Sequence, residues 1–496
     1  MKTTAQSIRS HIFGILSGPL LCFTLLLCPT HESLNEQGMK SLAAISWIIM
    51  WWMTEPFPLP FTALFGIVLY GLMGVLPLDK GLAFLSSPTC MLLLGSMLLL
   101  GAMKDSNVIE RYTYKVVTSS WVAHSPTKLM ILFGMATGIL SAIMPNIPVA
   151  ILFTSIAVAL GKSMQAEPGH PLFRAMVVAS GVGASVGGTG TPVGGVPNLL
   201  VIGIIASSLN YDVQFWEYSA LGMVLCIAQL IAMIILCCFF FLRNCSEQGA
   251  CFTLDVLREK LDNLGPVTLR EKASLVMLLI ALALWCLGQP MANKLGFTDL
   301  AKLLNVSSIS VFCGVALLFI PIGRDDNGRI KFVLDWKTAL ASINWEILIF
   351  VSGVLAFGQV CIDGGIDKEL AGFVSPLLEG LSPSMTWLVL LAISGVLCQW
   401  ANPATVISLL VPTTALIAIE KGINPIVACF TVGMVANLAI MFPFSSPPIA
   451  ASILGSESYA TPKDFFKFSF PMVTVCVLLT WVIGMWIGPL VFPSQG

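Results

Sequence analysis

The sequence predicts an all-α polytopic membrane protein, and three observations carry that reading. Hydrophobic residues make up 56% of the 496-residue chain and charged residues only 10%, with a mean hydropathy of +0.90, against about 25% charged residues in soluble proteins. The apolar residues fall in long runs separated by short polar or proline-bearing breaks, as expected of helices that cross hydrocarbon. Two of these breaks, Pro145-Asn146-Ile147-Pro148 and Ala401-Asn402-Pro403-Ala404, lie inside apolar stretches, with Asn146 and Asn402 256 residues apart. Irregular backbone persists at membrane depth only where it lines a cavity, and broken helices at matching places in two halves point to a carrier's midplane binding site. The expected architecture has about eleven transmembrane helices in two inverted repeats, with two re-entrant hairpins and broken helices.

Apolar segments lie near 12–29, 43–53, 57–76, 89–103, 127–144, 149–162, 175–188, 197–209, 217–242, 273–289, 306–322, 345–361, 385–400, 404–419, 424–443 and 466–492. Several are too short to cross about 30 Å of hydrocarbon alone. Those flanking Asn146 and Asn402 pair as half-helices that enter and turn back, whereas 217–242 and 466–492 are long enough to span with tilt. Residues 12–29 follow Lys2, Arg9 and His11 like a signal peptide. With many apolar segments behind them, they read as the first membrane helix.

Four regions follow: residues 1–40 with the first helix, a first repeat over 41–242, a connecting loop at 243–272, and a second repeat with a C-terminal helix over 273–496. The connector carries Arg243, Arg258, Lys260, Arg270 and Lys272, while the tail Pro493-Ser494-Gln495-Gly496 is uncharged. Basic residues collect on the cytoplasmic side, so the N-terminus and connector are expected in the cytoplasm and the C-terminus outside, in the plasma (inner) membrane. Matching segments recur at near-constant spacing. Leu94-Gly95-Ser96 answers Val351-Ser352-Gly353, Asn146 answers Asn402, and Val196-Pro197-Asn198 answers Pro447-Pro448-Ile449, at offsets of 257, 256 and 251 residues. This spacing argues duplication, and the opposed termini argue inversion.

Charge and motif composition exclude several function classes. With 25 basic and 26 acidic residues there is no basic stretch able to neutralise many phosphates, so nucleic acid is not an expected partner. No HExxH or intramembrane Asp pair is present, so the chain reads as no enzyme. The 14 cysteines are scattered and read as small buried hydrophobes, with Cys245 and Cys251 sharing a polar loop expected in the reducing cytosol. His11, His31, His124 and His170 lie in polar connections, and no carboxylate sits in the Asn-loop core, which leaves little support for proton coupling. Glu55, amid apolar residues and followed by proline, reads as a helix boundary. Lys104, Asp105, Glu110 and Arg111, with Asp363, Asp367, Lys368 and Glu369 in the second half, read as surface-lying amphipathic linkers.

At the two Asn breaks, a half-helix ending in the bilayer presents unpaired N–H groups and partial positive charge, which favours an anion without a buried Arg or Lys. Carbonyls at opposing half-helix ends can coordinate a cation such as Na⁺. The segment 181–203 holds eight glycines, and Phe442-Pro443-Phe444-Ser445-Ser446-Pro447-Pro448 supplies hydroxyls and prolines. Both read as unwound loops, because glycine admits close approach and proline removes donors.

On these residues the chain resembles the divalent anion/sodium symporters of the ion transporter superfamily over nearly its whole length. Trp51-Trp52-Met53-Thr54-Glu55-Pro56-Phe57-Pro58-Leu59-Pro60 is similar to that family's WWxTExxPLP segment. Gly187-Gly188-Thr189-Gly190-Thr191 with Pro197-Asn198 is similar to its glycine-rich loop, and Ser445-Ser446-Pro447-Pro448 to its second-half ATPPN. The resemblance implies Na⁺-coupled transport of di- or tricarboxylate-like anions by a homodimer whose transport domain moves as an elevator. It implies no cofactor, with Na⁺ as coupling ion. By position it places substrate contacts at Asn146, Ile147, Gly195, Asn402, Pro403, Ser446 and Pro447. One sodium site would fall at Ser141, Pro145, Asn146 and Gly194, and a second at Ala401, Asn402 and Ser445.

The sequence departs from that pattern where it matters for substrate. The family's paired Ser-Asn-Thr has become Pro145-Asn146-Ile147 and Ala401-Asn402-Pro403. Each hydroxyl lost beside a carboxylate removes a charge-assisted hydrogen bond worth about 1.5–3 kcal/mol. A less charged, partly apolar carboxylate or sulfonate would suit Ile147 and Pro403 better than a C4-dicarboxylate. Sodium-independent anion exchange and the cation/proton antiport of the wider superfamily are the alternatives.

Overall fold

The computed structural model describes residues 2–28, 34–122, 125–243, 254–324 and 328–492. Cys245, Cys251, His31, His124 and the tail from Pro493 lie outside the described residues. The first half runs through α1 (Lys2–Leu27), α2 (Glu36–Thr54), α3 (Leu59–Leu72), α4 (Leu78–Ala83), α5 (Pro88–Asp105) and α6 (Val108–Val117). It continues with α7 (Pro126–Ser141), α8 (Asn146–Ser163), α9 (Pro171–Gly187), α10 (Val196–Leu209) and α11 (Phe215–Cys237). The connector, expected as a loop, contains α12 (Asp255–Asn263). Then come α13 (Leu269–Ala283), α14 (Gln289–Lys294), α15 (Thr298–Leu303), α16 (Val306–Ala316), and α17 (Trp336–Ser342) after a hairpin of β1 (Pro321–Arg324) with β2 (Ile330–Phe332). The second half closes with α18 (Trp345–Asp363), α19 (Ile366–Val374), α20 (Pro383–Trp400), α21 (Pro403–Glu420), α22 (Pro425–Ala436), α23 (Pro447–Gly455) and α24 (Pro462–Val491).

The chain is an all-α polytopic membrane protein, with that hairpin as its one β element among the described residues. Among the described residues, eight helices are long and apolar enough to cross a membrane and seven apolar helices are shorter. The expected figure of about eleven falls between the eight and the full set.

Proline and a capping hydroxyl set many of the helix starts. Ser87, Ser125 and Ser382 accept from the backbone N–H groups of Cys90, Lys128 and Met385, and each is followed by proline. Proline lacks the N–H that a first-turn residue leaves unbonded anyway, so it starts a helix at no hydrogen-bond cost. Prolines at the starts of α9, α10, α21, α22 and α23 repeat this device. Glu55 ends α2 in a left-handed conformation, φ 45°, which makes it the expected helix boundary.

The halves interlock. α3 packs on α18 and α16 on α5, while α10 packs on α21 and α22, and α23 on α8 and α9. Two glycines, one in each half, admit this. A methyl group on Gly95 would strike the Ser310 backbone, and one on Gly353 would lie 2.6 Å from Ala63 Cβ.

Polar contacts sort the helix termini into two ends of the bundle. At the connector end, Arg270 pairs with Asp105 at 2.5 Å, Arg174 with Asp464 at 3.7 Å and Lys162 with Glu457 at 2.6 Å. At the opposite end, Asn424 Nδ2 donates to Phe492 O at 2.7 Å, Ser375 Oγ to Glu420 at 2.7 Å, and Gly38 lies against Gly364 O. The α7–α8 hairpin therefore opens toward the connector end and the α20–α21 hairpin toward the other.

The linker helices are anchored more deeply than a surface amphipathic strip. Arg111, on α6, is buried and pairs with buried Glu271, Nε to Oε2 at 2.6 Å, while donating to the carbonyls of Gly265 and Leu264. Asp367, on α19, is also buried. Placing Arg111 and Asp367 on the surface is thus corrected, because each linker turns one charged residue inward. His170 is half-buried against the Phe173 ring, centroids 5.3 Å apart, rather than free in solvent.

Candidate binding site between the broken helices

The first-half site is built from three chain segments. α7 ends at Ser141, whose hydroxyl donates to Ala184 O of α9 at 2.7 Å and lies 3.0 Å from Asn146 Oδ1. Pro145, in extended conformation, turns the chain so that α8 begins at Asn146. The Asn146 amide rests over Gly188, where any Cβ would collide with it. Residues 188–195 then run unwound to α10. Thr191 donates from its hydroxyl to Ala142 O, and Asn198 Nδ2 donates to Gly188 O at 2.6 Å and Thr191 O at 2.7 Å.

This arrangement gathers neutral oxygen atoms around one spot. A Cβ built on Gly194 would lie 2.6 Å from Gly188 O, 2.9 Å from Ser141 O and 3.1 Å from Ala142 O, so only glycine fits there. Three converging carbonyls, with the Ser141 hydroxyl and Asn146 Oδ1 beside them, are a donor set suited to a hard monovalent cation. Ser141, Asn146 and Gly194 are thus brought together, while the Pro145 ring stays exposed.

In the second half, α20 ends at Trp400 and α21 begins at Pro403. Asn402 Oδ1 accepts from Ala404 N at 2.9 Å, so it caps α21. Ser445 is buried and donates to Phe442 O at 3.1 Å; Ser446, equally buried, makes no side-chain hydrogen bond among the described residues. Ile147 is 43% exposed and Pro447 is exposed. An aromatic group borders this tip. Phe442 lies 4.9 Å from Trp400 and stacks on Phe444 at 5.1 Å, and Trp400 and Phe444 are 66% and 63% exposed.

One bond ties the two unwound loops together. Asn437, just past the end of α22, donates from Nδ2 to Asn198 Oδ1 at 2.8 Å, with both side chains buried. Asn146, Gly188, Asn198 and Asn437 thus form a continuous contact chain from one half to the other. Asn402 takes no part in its hydrogen bonds. Sequence reading missed Asn437 and also Gln399, whose amide holds the second loop, since each is a lone polar residue in an apolar run.

A cavity of about 670 Å³ lies elsewhere. It is bounded by the starts of α5, α11 and α16 and by α10, and reaches the first loop only at Pro192. None of the sequence-predicted site residues lines it, and Asp212 on its wall disfavours an anion.

The comparisons with known proteins agree with this architecture. A family model described as "Citrate transporter" matches residues 49–418. The chain belongs to the citrate transporter family. Resemblance to the divalent anion/sodium symporters of the ion transporter superfamily is thereby borne out, and this citrate transporter family member is a membrane transporter rather than an enzyme. It is 26% identical over 452 residues to a protein of Staphylococcus saprophyticus named sodium-dependent dicarboxylate transporter SdcS, covering 88% of this chain and 84% of that one. A protein of the same name from Staphylococcus aureus strain USA300 is 25% identical over 489 residues, 97% and 92% of the two chains. Among solved structures, the fold is similar to the Alcanivorax borkumensis YdaH transporter, with a TM-score of 0.51, 14% identity and 80% and 84% of the two chains covered. It is also similar to Neisseria gonorrhoeae MtrF, with a TM-score of 0.54, 13% identity and 80% of each chain covered.

Proposed function

We propose that the chain is a secondary active transporter of small organic anions, coupled to Na⁺, working by alternating access in the plasma membrane. The observation that carries this reading is the contact chain from Asn146 through Gly188 and Asn198 to Asn437, which brings two unwound, carbonyl-rich loops from separate halves to one place. The relatives named as sodium-dependent dicarboxylate transporters support both the carboxylate class and the ion.

In this reading the substrate's anionic group meets the half-helix N-termini and the amides of Asn146 and Asn402, with Gly195, Ser446 and Pro447 beside it. Backbone dipoles favour negative charge there without a buried cation. A sodium ion sits among Ser141, Ala142, Gly188 and Asn146 and adds the positive charge that completes an anion site. Ile147 and Pro403 stand where hydroxyls would serve a second carboxylate, and Trp400 and Phe444 offer exposed ring faces nearby. We therefore place the preferred substrate among carboxylates or sulfonates with one charged end and an apolar body.

The two halves act as inverted repeats. The hairpins opening toward opposite ends of the bundle, and the swapped packing of α10 on α21 and α23 on α8, support this. Arg111, Arg174, Arg258 and Arg270 belong to the connector end, which we assign to the cytoplasm. A homodimer moving its transport domain as an elevator completes the reading.

Uptake into proteoliposomes tests it, using succinate, citrate, benzoate and benzenesulfonate with and without a sodium gradient. Sodium-driven uptake that Asn146→Ala and Asn402→Ala each abolish is expected, with the aromatic anions preferred. Uptake indifferent to sodium would favour exchange instead, and pH-driven cation flux without anion uptake would overturn the reading. A tight preference for succinate would sink its substrate half.

A further inference from the structure

The second unwound stretch, residues 437–446, faces the same physical problem as the first, because its backbone groups have no helical partner. Its solution is different. Ser125-Pro126 and Ser382-Pro383 start α7 and α20 in register, which sets Gln399 opposite Ala142. Where Ala142 presents only a methyl group, Gln399 extends a buried side chain, 2% exposed, into the loop. Its Nε2 donates to Gly395 O at 2.9 Å and Leu438 O at 2.8 Å and lies 3.0 Å from Cys398 Sγ. Its Oε1 accepts from Ile440 N and Met441 N, both at 3.0 Å. Two backbone N–H groups converging on one atom fix the orientation of the amide, since only its oxygen can accept them.

We propose that Gln399 determines the ion coupling of this transporter: its amide nitrogen takes the place of a cation among the second-half carbonyls. Each chain then loads one monovalent cation, at the first-half carbonyls around Gly194, and none at the second. The inference rests on the sodium-coupled reading above and specifies where that coupling resides. A tethered amide satisfies carbonyl oxygens but cannot dissociate, so the second loop keeps one shape throughout the cycle. In the first half, Ser141 O, Ala142 O and Gly188 O converge beside Gly194; Thr191 and Asn198 donate to the latter two, Ser141 O takes no side-chain donor among the described residues, and an ion that comes and goes there can change the loop. The second-half hydroxyl and amide agree with this division, as Ser445 Oγ and Asn402 Oδ1 are both engaged with nearby backbone.

Equilibrium binding of radioactive sodium to the purified full-length protein tests the proposal. Wild type is expected to saturate at one ion per chain. Saturation at two would overturn the inference while leaving sodium coupling intact, and no binding at all would overturn the sodium-coupled reading itself. Gln399→Glu supplies the second arm. It keeps an acceptor for Ile440 N and Met441 N but turns a second oxygen toward Gly395 O and Leu438 O, an arrangement that requires a bridging cation once the carboxyl is ionised. At a pH well above the carboxylate range this variant should bind two ions. Combining Ser141→Ala with Asn146→Ala should remove the ion from wild type but leave one in the Gln399→Glu background. A loss of folding would not produce that pattern, and a Gln399→Glu protein that elutes as a folded species yet binds one ion contradicts the proposal. If that variant does not fold, the wild-type stoichiometry decides alone.

Discussion

The asparagines of the site differ in what their neighbours demand of them. Asn146 rests on Gly188, so Gly188→Ala pushes its amide away from Ser141 without removing any polar group. Loss of one charge-assisted hydrogen bond to an anion corresponds to about a tenfold weaker apparent affinity. The expected outcome is an uptake KM raised by at least about that factor, with unchanged detergent stability. Asp367 supplies a residue-scale test of stability. It is buried, its Oδ1 has no hydrogen-bond partner among the described residues, and burial raises its carboxyl above the ordinary range. A folded-state pKa above the unfolded one stabilises at low pH, and that contribution is lost as pH rises through the folded value. Asp367→Asn should therefore raise the melting temperature at neutral pH, with the gain shrinking on acidification toward the carboxylate range. An unchanged difference across pH would contradict the assignment. Asn146 and Asn402 were legible in the sequence because prolines flank them in apolar runs. Asn437 and Gln399 were not, since the contacts that give them meaning come from residues 239 positions away or from an unwound loop that hydropathy does not reveal.

At the scale of elements, the sequence announced α6 and α19 as amphipathic linkers but misjudged their depth. The partner of Arg111 lies 160 residues away at the start of α13, and no local pattern discloses such a pairing. Removing one member of a buried ion pair leaves the other uncompensated, at about 3–5 kcal/mol, whereas replacing both with apolar residues is often close to neutral. Arg111→Met should accordingly lower the melting temperature sharply, and Arg111→Met with Glu271→Leu should recover most of the loss. Equal melting for single and double variants would show that the carbonyls of Leu264 and Gly265 matter more than the carboxylate. Helix starts were well announced by serine and proline, as at Ser125-Pro126 and Ser382-Pro383. The division of 243–272 was not, because α12 is short and polar and owes its place to packing on α6 and α8.

For the molecule as a whole, duplication was visible in spacing alone, but the exchange of elements between halves was not. Constant offsets say that two units exist without saying which surface of one meets which surface of the other. Gly95 against Ser310 and Gly353 against Ala63 show how tightly the units are fitted. A side chain at either glycine has backbone in its way, so Gly95→Leu should prevent accumulation of folded protein, measured as monodisperse material after extraction, while Gly372→Leu, where nothing lies within 4 Å, should not.

The swapped packing of α10 on α21 and α23 on α8 has a consequence for biogenesis. When the ribosome has delivered only residues up to the connector, the Asn146 tip has its first-half neighbours Ser141 and Gly188 but not α23, and Asn198 has no Asn437, so the site must wait unclosed in the lipid or at its surface. Insertion and tertiary closure are thus separate events, the second delayed until α21 and α23 emerge. Cells making residues 1–253 alone should degrade that fragment, and supplying residues 254–496 from a second transcript should rescue it.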